Sequence, residues 1–313
     1  MTHLFLILSL LCSLSSWGMA EDTTGFIPAI STVSDEILPL QKNPGTNLLL
    51  LQGLVNGTPC TLLVDTGASH TTFDADFIRR NFPKINTMDI QKEGKSNVTA
   101  PARAFHIDEL SFGNNRHRDF YGIILNLSAI SHAMNIQLDG ILGRNNLRVA
   151  PFLLSARNKS LQWINSSLPL KNLKQTKLRV SQSPQGGLLV HARPKNQDTD
   201  ISLLMDTGAS ITCINPSSWR AGITPSSPNI KATGINTPCD QPQLNKRGKA
   251  TDLILSPECT LHNLTPLLLT EKDPSLLGMD FCSRFDLIID LTLPSITILN
   301  DHPIKHPKHP KHP

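Results

Sequence analysis

Apolar and polar positions fall in short blocks along most of this chain. Leu48 to Val55 is apolar apart from Gln52 and Gly53, Asn56-Gly57 follows, and Cys60 to Val64 returns as a second apolar block ending in Asp65. Two short apolar blocks joined by Asn-Gly predict a β-hairpin. Thr71 to Phe73 reads as another short strand, and Asp76 to Asn81 as a helical turn. Between 91 and 113 the pattern alternates. Ala104, His106, Asp108 and Leu110 share one face, and Phe105, Ile107 and Glu109 the other. Tyr121 to Leu127 follows as a strand. Ile141-Leu142-Gly143 comes after the turn at Asp139-Gly140, and Phe152 to Leu154 faces Leu161 to Ile164 as a closing hairpin.

The second half runs through the same order. Gly186 to Val190 is a strand, Arg193 to Asp200 a longer polar turn, and Ile201 to Met205 leads into Asp206. Ile211 to Ile214, Ala250 to Leu255 and Leu264 to Leu269 are further strands. Leu276-Leu277-Gly278 answers Ile141-Leu142-Gly143, and Phe285 to Leu291 with Ser295 to Leu299 forms a final hairpin. The acids Asp65 and Asp206 are 141 positions apart. Recurrence of several features in one order implies an internal duplication. Short strands with turn signals and few helices imply an all-β fold of two β-barrel lobes related by a pseudo-twofold axis, with a cleft between them. The expected divisions are 1–20, 21–46 (a loosely docked arm or short pro-segment), 47–165 and 181–300 for the lobes, 166–180 as linker, and 301–313 as tail.

The repeated element carries the candidate chemistry. Asp65-Thr66-Gly67-Ala68-Ser69 and Asp206-Thr207-Gly208-Ala209-Ser210 are identical. Across a twofold axis the two carboxyls would lie side by side. Two close carboxyls share one proton and titrate as a pair. The ionised member takes a proton from water while the other donates to a carbonyl, which is general acid–base hydrolysis with no metal or cofactor. Gly67 and Gly208 let the backbone bend close to the carboxylates, and Thr66 and Thr207 are placed to hydrogen-bond across the axis. Ala68 and Ala209 bring no hydroxyl to the outer carboxylate oxygens. The expected optimum is therefore mildly acidic to near neutral. Ser69 and Ser210 sit in no nucleophile elbow, and His70, matched by Ile211 in the other copy, is read as incidental.

These turns resemble those of the aspartic proteases. The Ala after Gly is similar to the retropepsin branch, and the duplicated single chain to the bilobal pepsin arrangement. The lead-in from Leu48 to Phe73 is similar to that of exported retropepsin-like proteins of bacteria. The resemblance implies an aspartic endopeptidase with catalytic Asp65 and Asp206, supported by Thr66, Gly67, Thr207 and Gly208. It implies peptide or protein substrates bound in the cleft, and glycine strands at Gly143 and Gly278 threading behind the turns. Pepsins carry a flap tyrosine, but the single tyrosine here, Tyr121, lies in a strand-like run. The expected flap is Gly94 to Arg103, with Thr233 to Asp240 as its counterpart. A peptide-binding module of the same fold, without catalysis, stays open as the alternative.

Composition narrows the class. Aromatics make up 5% and charged residues 17% of 313 residues, which suits a β-rich globular protein. The net charge of +4 includes Lys305, Lys308 and Lys311, so the body is nearly neutral and nucleic acid is not an expected partner. Leu4 to Leu11, followed by Gly18-Met19-Ala20, reads as a secretory signal, too short to span a bilayer. A secreted or periplasmic monomer without a transmembrane segment is expected. Removal of the signal would leave Cys60, Cys213, Cys239, Cys259 and Cys282, an odd count from which no pairing follows. The tail from His302 to Pro313 has a proline at every third position after Pro307 and is expected to be solvated polyproline II.

Overall fold

A computed structural model describes Phe5–Leu6 and residues 24–90, 102–165, 174–222, 230–233, 243–269 and 274–300. The architecture is all-β and two-lobed, built on one 14-stranded and one 11-stranded sheet. In the N-terminal lobe Leu49–Val55 and Thr58–Val64 pair antiparallel around Asn56 and Gly57. Both turn residues have positive φ, 45° and 79°, as a two-residue hairpin turn requires. Thr72–Asp74 leads into the helix Ala75–Asn81, whose N-cap Asp74 accepts from the backbone N–H groups of Asp76 and Phe77. Ala102–Phe112 and Asn115–Leu125 form a long hairpin.

The apolar-apolar-Gly segments lack alternation because both faces are covered. Gly140–Leu142 runs parallel to Thr58–Val64 and antiparallel to Thr72–Asp74. The C-terminal copy repeats this: Leu276–Leu277 is parallel to Ile201–Met205 and antiparallel to Cys213–Ile214. All four apolar residues, Ile141, Leu142, Leu276 and Leu277, are fully buried.

The two closing hairpins do more than end their own lobes. Phe152–Ser155 pairs with Asp286–Asp290, so six strands run in sequence across both halves: Leu38–Lys42, Ser160–Trp163, Phe152–Ser155, Asp286–Asp290, Ser295–Asn300 and Lys174–Lys177. Buried Phe152, Leu154, Leu161, Leu287, Ile289, Ile296 and Ile298 tie this sheet to the main core. Each such side chain contributes about 1.5–3 kcal/mol relative to exposure.

The segment ahead of the first lobe is more firmly docked than its polar sequence implies. Leu38–Lys42 pairs with Leu49–Val55, and Ile30–Thr32 pairs with Asn115–Leu125. Phe26 is buried with Ile90, Ala104 and Ile123. Two leucines, Leu38 and Leu40, and one phenylalanine anchor an otherwise polar stretch. Both expected flap tips, the tail and the signal segment beyond Phe5–Leu6 lie outside the described residues, as does Cys239. Cys60, Cys259 and Cys282 are buried free thiols, and Cys213 is buried. No helix among the described residues is long and apolar enough to cross a membrane.

Candidate active site

Each aspartate ends an apolar strand and is fixed by the glycine strand beside it. The backbone N–H of Asp65 donates to the Leu142 carbonyl at 3.1 Å, and that of Asp206 to the Leu277 carbonyl at 3.0 Å. Within its own turn, Asp65 Oδ1 accepts from the N–H groups of Gly67 (2.7 Å) and Ala68 (2.9 Å). Asp206 Oδ1 accepts from Gly208 (2.8 Å) and Ala209 (3.1 Å).

The turns then lock to each other. The Thr66 N–H donates to Thr207 Oγ1 at 3.0 Å, and the Thr207 N–H to Thr66 Oγ1 at 3.1 Å. Each hydroxyl passes its own proton across the axis, Thr66 to the Met205 carbonyl (2.9 Å) and Thr207 to the Val64 carbonyl (2.8 Å). These four bonds are buried, and loss of either hydroxyl would leave an unpaired buried N–H costing about 1–3 kcal/mol.

The glycines are required by close approach. A Cβ on Gly67 would sit 2.5 Å from Asp206 Cγ, and one on Gly208 would sit 2.4 Å from Asp65 Oδ2. Each carboxyl therefore lies against the opposite turn, and the pair faces itself across the axis. Both aspartates are fully buried, and no group of either turn's backbone donates to Oδ2 of either. Ala68 and Ala209, also fully buried, bring no hydroxyl there.

Burial sets the electrostatics. It pushes the Asp65 carboxyl up to about 6, against the lowering effect of its N–H donors, of Asp206 and of the Arg144 charge. Burial and then the Asp65 charge hold Asp206 well above the ordinary carboxylate range. The pair thus keeps a proton under conditions where an exposed carboxyl has lost it. Such a pair can accept one proton and donate another at the same place.

A buried network stands behind each turn. Gly143 and Gly278 begin short helices, Arg144–Leu147 and Met279–Cys282. The Arg144 N–H donates to the Ala68 carbonyl (2.9 Å) and the Met279 N–H to the Ala209 carbonyl (2.8 Å). Thr71 donates its N–H to Asn145 Oδ1 (2.8 Å), and its hydroxyl lies 2.6 Å from Asn146 Oδ1 and 3.0 Å from Asn145 Oδ1. Thr212 donates both its N–H (2.8 Å) and its hydroxyl (2.6 Å) to Asp280 Oδ1. The Arg144 guanidinium donates to the Thr66 (3.0 Å), Gly67 (2.6 Å) and Gln185 (3.0 Å) carbonyls, while Met279 fills the equivalent position in the other lobe.

His70 is not incidental to the packing. It is buried, holds Ser69 Oγ at 2.9 Å through Nδ1, and meets the Phe26 ring edge-on at 5.1 Å. Its imidazole is lowered to about 4 by burial and by the Arg144 charge. Ile27, Ser69, His70, Arg144, Arg148 and Gly186 contribute to a cavity of about 120 Å³ beside the first turn. Tyr121 packs against Phe26 and His106. Arg144, Asn145, Asp280 and Phe26 were not singled out from the sequence. The first three fall within two positions of the glycine of each repeated segment, so aligning the two copies two residues further would have found them.

The paired turns and their threaded glycine strands define the two-lobed acid-protease-like fold. Residues 51–145 match the family described as aspartyl protease. No curated protein matches the chain. Among solved structures, basic 7S globulin from soybean is similar, at 11% identity and a TM-score of 0.49, over 86% of this chain and 95% of that one. Conglutin gamma, a basic 7S globulin from lupine seeds, is similar at 13% identity and a TM-score of 0.46, over 85% and 94%.

Proposed function

We propose that the chain is an aspartic endopeptidase in which Asp65 and Asp206 activate a water molecule for attack on a peptide carbonyl. The reading rests on one observation above all: two identical turns, locked by four reciprocal threonine bonds, bring two buried carboxyls together within one chain. With one proton on the pair, the ionised carboxylate removes a proton from water as the oxygen attacks. The protonated partner donates to the carbonyl oxygen, giving a tetrahedral diol. The carboxyl that took the water proton gives it to the amide nitrogen, its partner removes a proton from a diol hydroxyl, and the C–N bond breaks, leaving acid, amine and one proton on the pair. The Oδ1 atoms, held by turn N–H groups, keep the carboxyls in place, while the Oδ2 atoms are left for water and substrate.

The duplicated lobes supply both aspartates, so a monomer suffices. The apolar segment from Leu4 to Leu11 fits export, and the resemblance to exported bacterial retropepsin-like proteins points the same way. A secreted or periplasmic peptidase acting on peptides or denatured proteins is the resulting assignment.

The test is cleavage of a denatured protein from about pH 3 to about pH 7, with and without a statine-type inhibitor. Inhibitor-sensitive cleavage is expected, strongest at mildly acidic to near-neutral pH. Saturable peptide binding without cleavage at any pH would instead establish a peptide-binding module.

A further inference from the structure

The two copies agree in backbone and differ in charge. Behind the first turn stand Arg144 and Asn145; behind the second, in the same hydrogen-bonding positions, stand Met279 and Asp280. Arg144 is buried, and its guanidinium grips two carbonyls of the Asp65 turn and one from the other lobe. Gly67, whose carbonyl it holds, supplies through its N–H one of the two donors to Asp65 Oδ1. The positive charge is therefore built into the first turn. The second turn has an apolar side chain at that position and a carboxyl, Asp280, where the first has an amide.

We infer that Arg144 is a positioning residue that breaks the symmetry of the pair, making Asp65 the ionised base and Asp206 the protonated acid. A cation fixed to one turn stabilises the negative charge nearer to it, and a buried site weakens that attraction far less than water does. The other charged groups nearby do not oppose this: Arg247 and Arg284, the cations behind the second turn, act on Asp280, and neither is among the charges that set Asp206. His70 is held neutral by burial and by Arg144 itself. Asp280 and Cys282, behind the second turn, are both held toward their protonated forms by burial. The directions for the pair agree: Arg144 lowers Asp65, while the charge on Asp65 raises Asp206.

The inference rests on the two carboxyls acting as a pair, and it is tested without relying on cleavage. Carboxyl carbons labelled with ¹³C in all aspartates are titrated by NMR in the full chain, with Asp65→Asn and Asp206→Asn assigning the two signals. Asp65 should ionise first. In Arg144→Met its transition should move up by at least about half a pH unit, with the acid limb of the kcat/KM profile moving equally. Arg144→Lys, which keeps the charge but not the three-carbonyl grip, should restore the order of ionisation. Ionisation of Asp206 first in the wild type would overturn the inference even if the variants fail to fold. So would an unchanged Asp65 transition in folded Arg144→Met. If Asp65 ionises first and the variants respond as stated while no peptide is cleaved, the asymmetry stands and the peptidase reading falls.

Discussion

In the N-terminal turn, Thr71 is tied to Asn145 and the backbone of the turn to the Arg144 guanidinium; in the C-terminal turn, Thr212 is tied to Asp280 while the Met279 side chain contributes only packing. In both networks the threonine N–H donates at 2.8 Å to the residue two positions after the glycine. What duplication preserved is the set of contacts that aim each carboxyl at the other. What it let change is the charge one layer behind. A symmetric pair must choose which carboxyl holds the proton, and groups one layer back can make that choice without moving either aspartate.

The contact between the lobes gives the largest expected effect. A methyl group introduced by Gly208→Ala would meet Asp65 Oδ2 at 2.4 Å. The lobes must separate or the carboxyl must rotate, and misplacement on that scale costs about 100-fold or more in kcat/KM. Gly67→Ala should behave alike, because it pushes on Asp206. Assay of both variants with thermal melting separates a misaimed pair from a lost fold. Equal activity to wild type would show that the two carboxyls do not need this approach.

The next effect is on stability. Asp65 is raised from 3.8 to about 6 by burial, so between those values the folded protein binds a proton that the unfolded chain does not. Stability from this group is complete below about pH 4 and is lost as pH rises through about 6. Asp65→Asn should therefore melt above wild type at pH 7, and the gap should close by pH 4. Melting curves across that range check the sign.

The smallest effects compare the two copies directly. Asn145 Nδ2 donates to the Phe26 carbonyl at 2.6 Å, so Asn145→Asp would set a carboxylate against a carbonyl. A loss of about 1–3 kcal/mol is expected. Asp280→Asn keeps an acceptor at Oδ1 for Thr212 and removes a half-buried acid, and should change stability by less than about 1 kcal/mol. Denaturant unfolding of both measures the difference, and equal losses would remove the distinction between the copies.

Much of this was legible in the chain. The Asn56-Gly57 hairpin follows from local turn chemistry, and the paired strands from short apolar blocks. The meeting of the two turns follows from the repeat. The six-stranded sheet joining the halves was not legible, because pairing of Phe152–Ser155 with Asp286–Asp290 depends on how the lobes lie together. Neither was the docking of the leading arm. Its anchors, Phe26, Leu38 and Leu40, are isolated apolar residues in a polar stretch, which no periodicity marks. The charge difference behind the turns was present as Arg144-Asn145 against Met279-Asp280, but its meaning needed the carbonyls that Arg144 grips.

The pairing of one aspartate from each half within a single molecule is tested most directly by complementation. Asp65→Asn and Asp206→Asn proteins are assayed on denatured substrate separately and as an equal mixture. Each alone should lose at least about 1000-fold in kcat/KM. The mixture should stay as inactive as its components, because no molecule in it carries both carboxyls. Wild-type activity in either variant, or recovery of activity on mixing, would contradict a pair built within one chain.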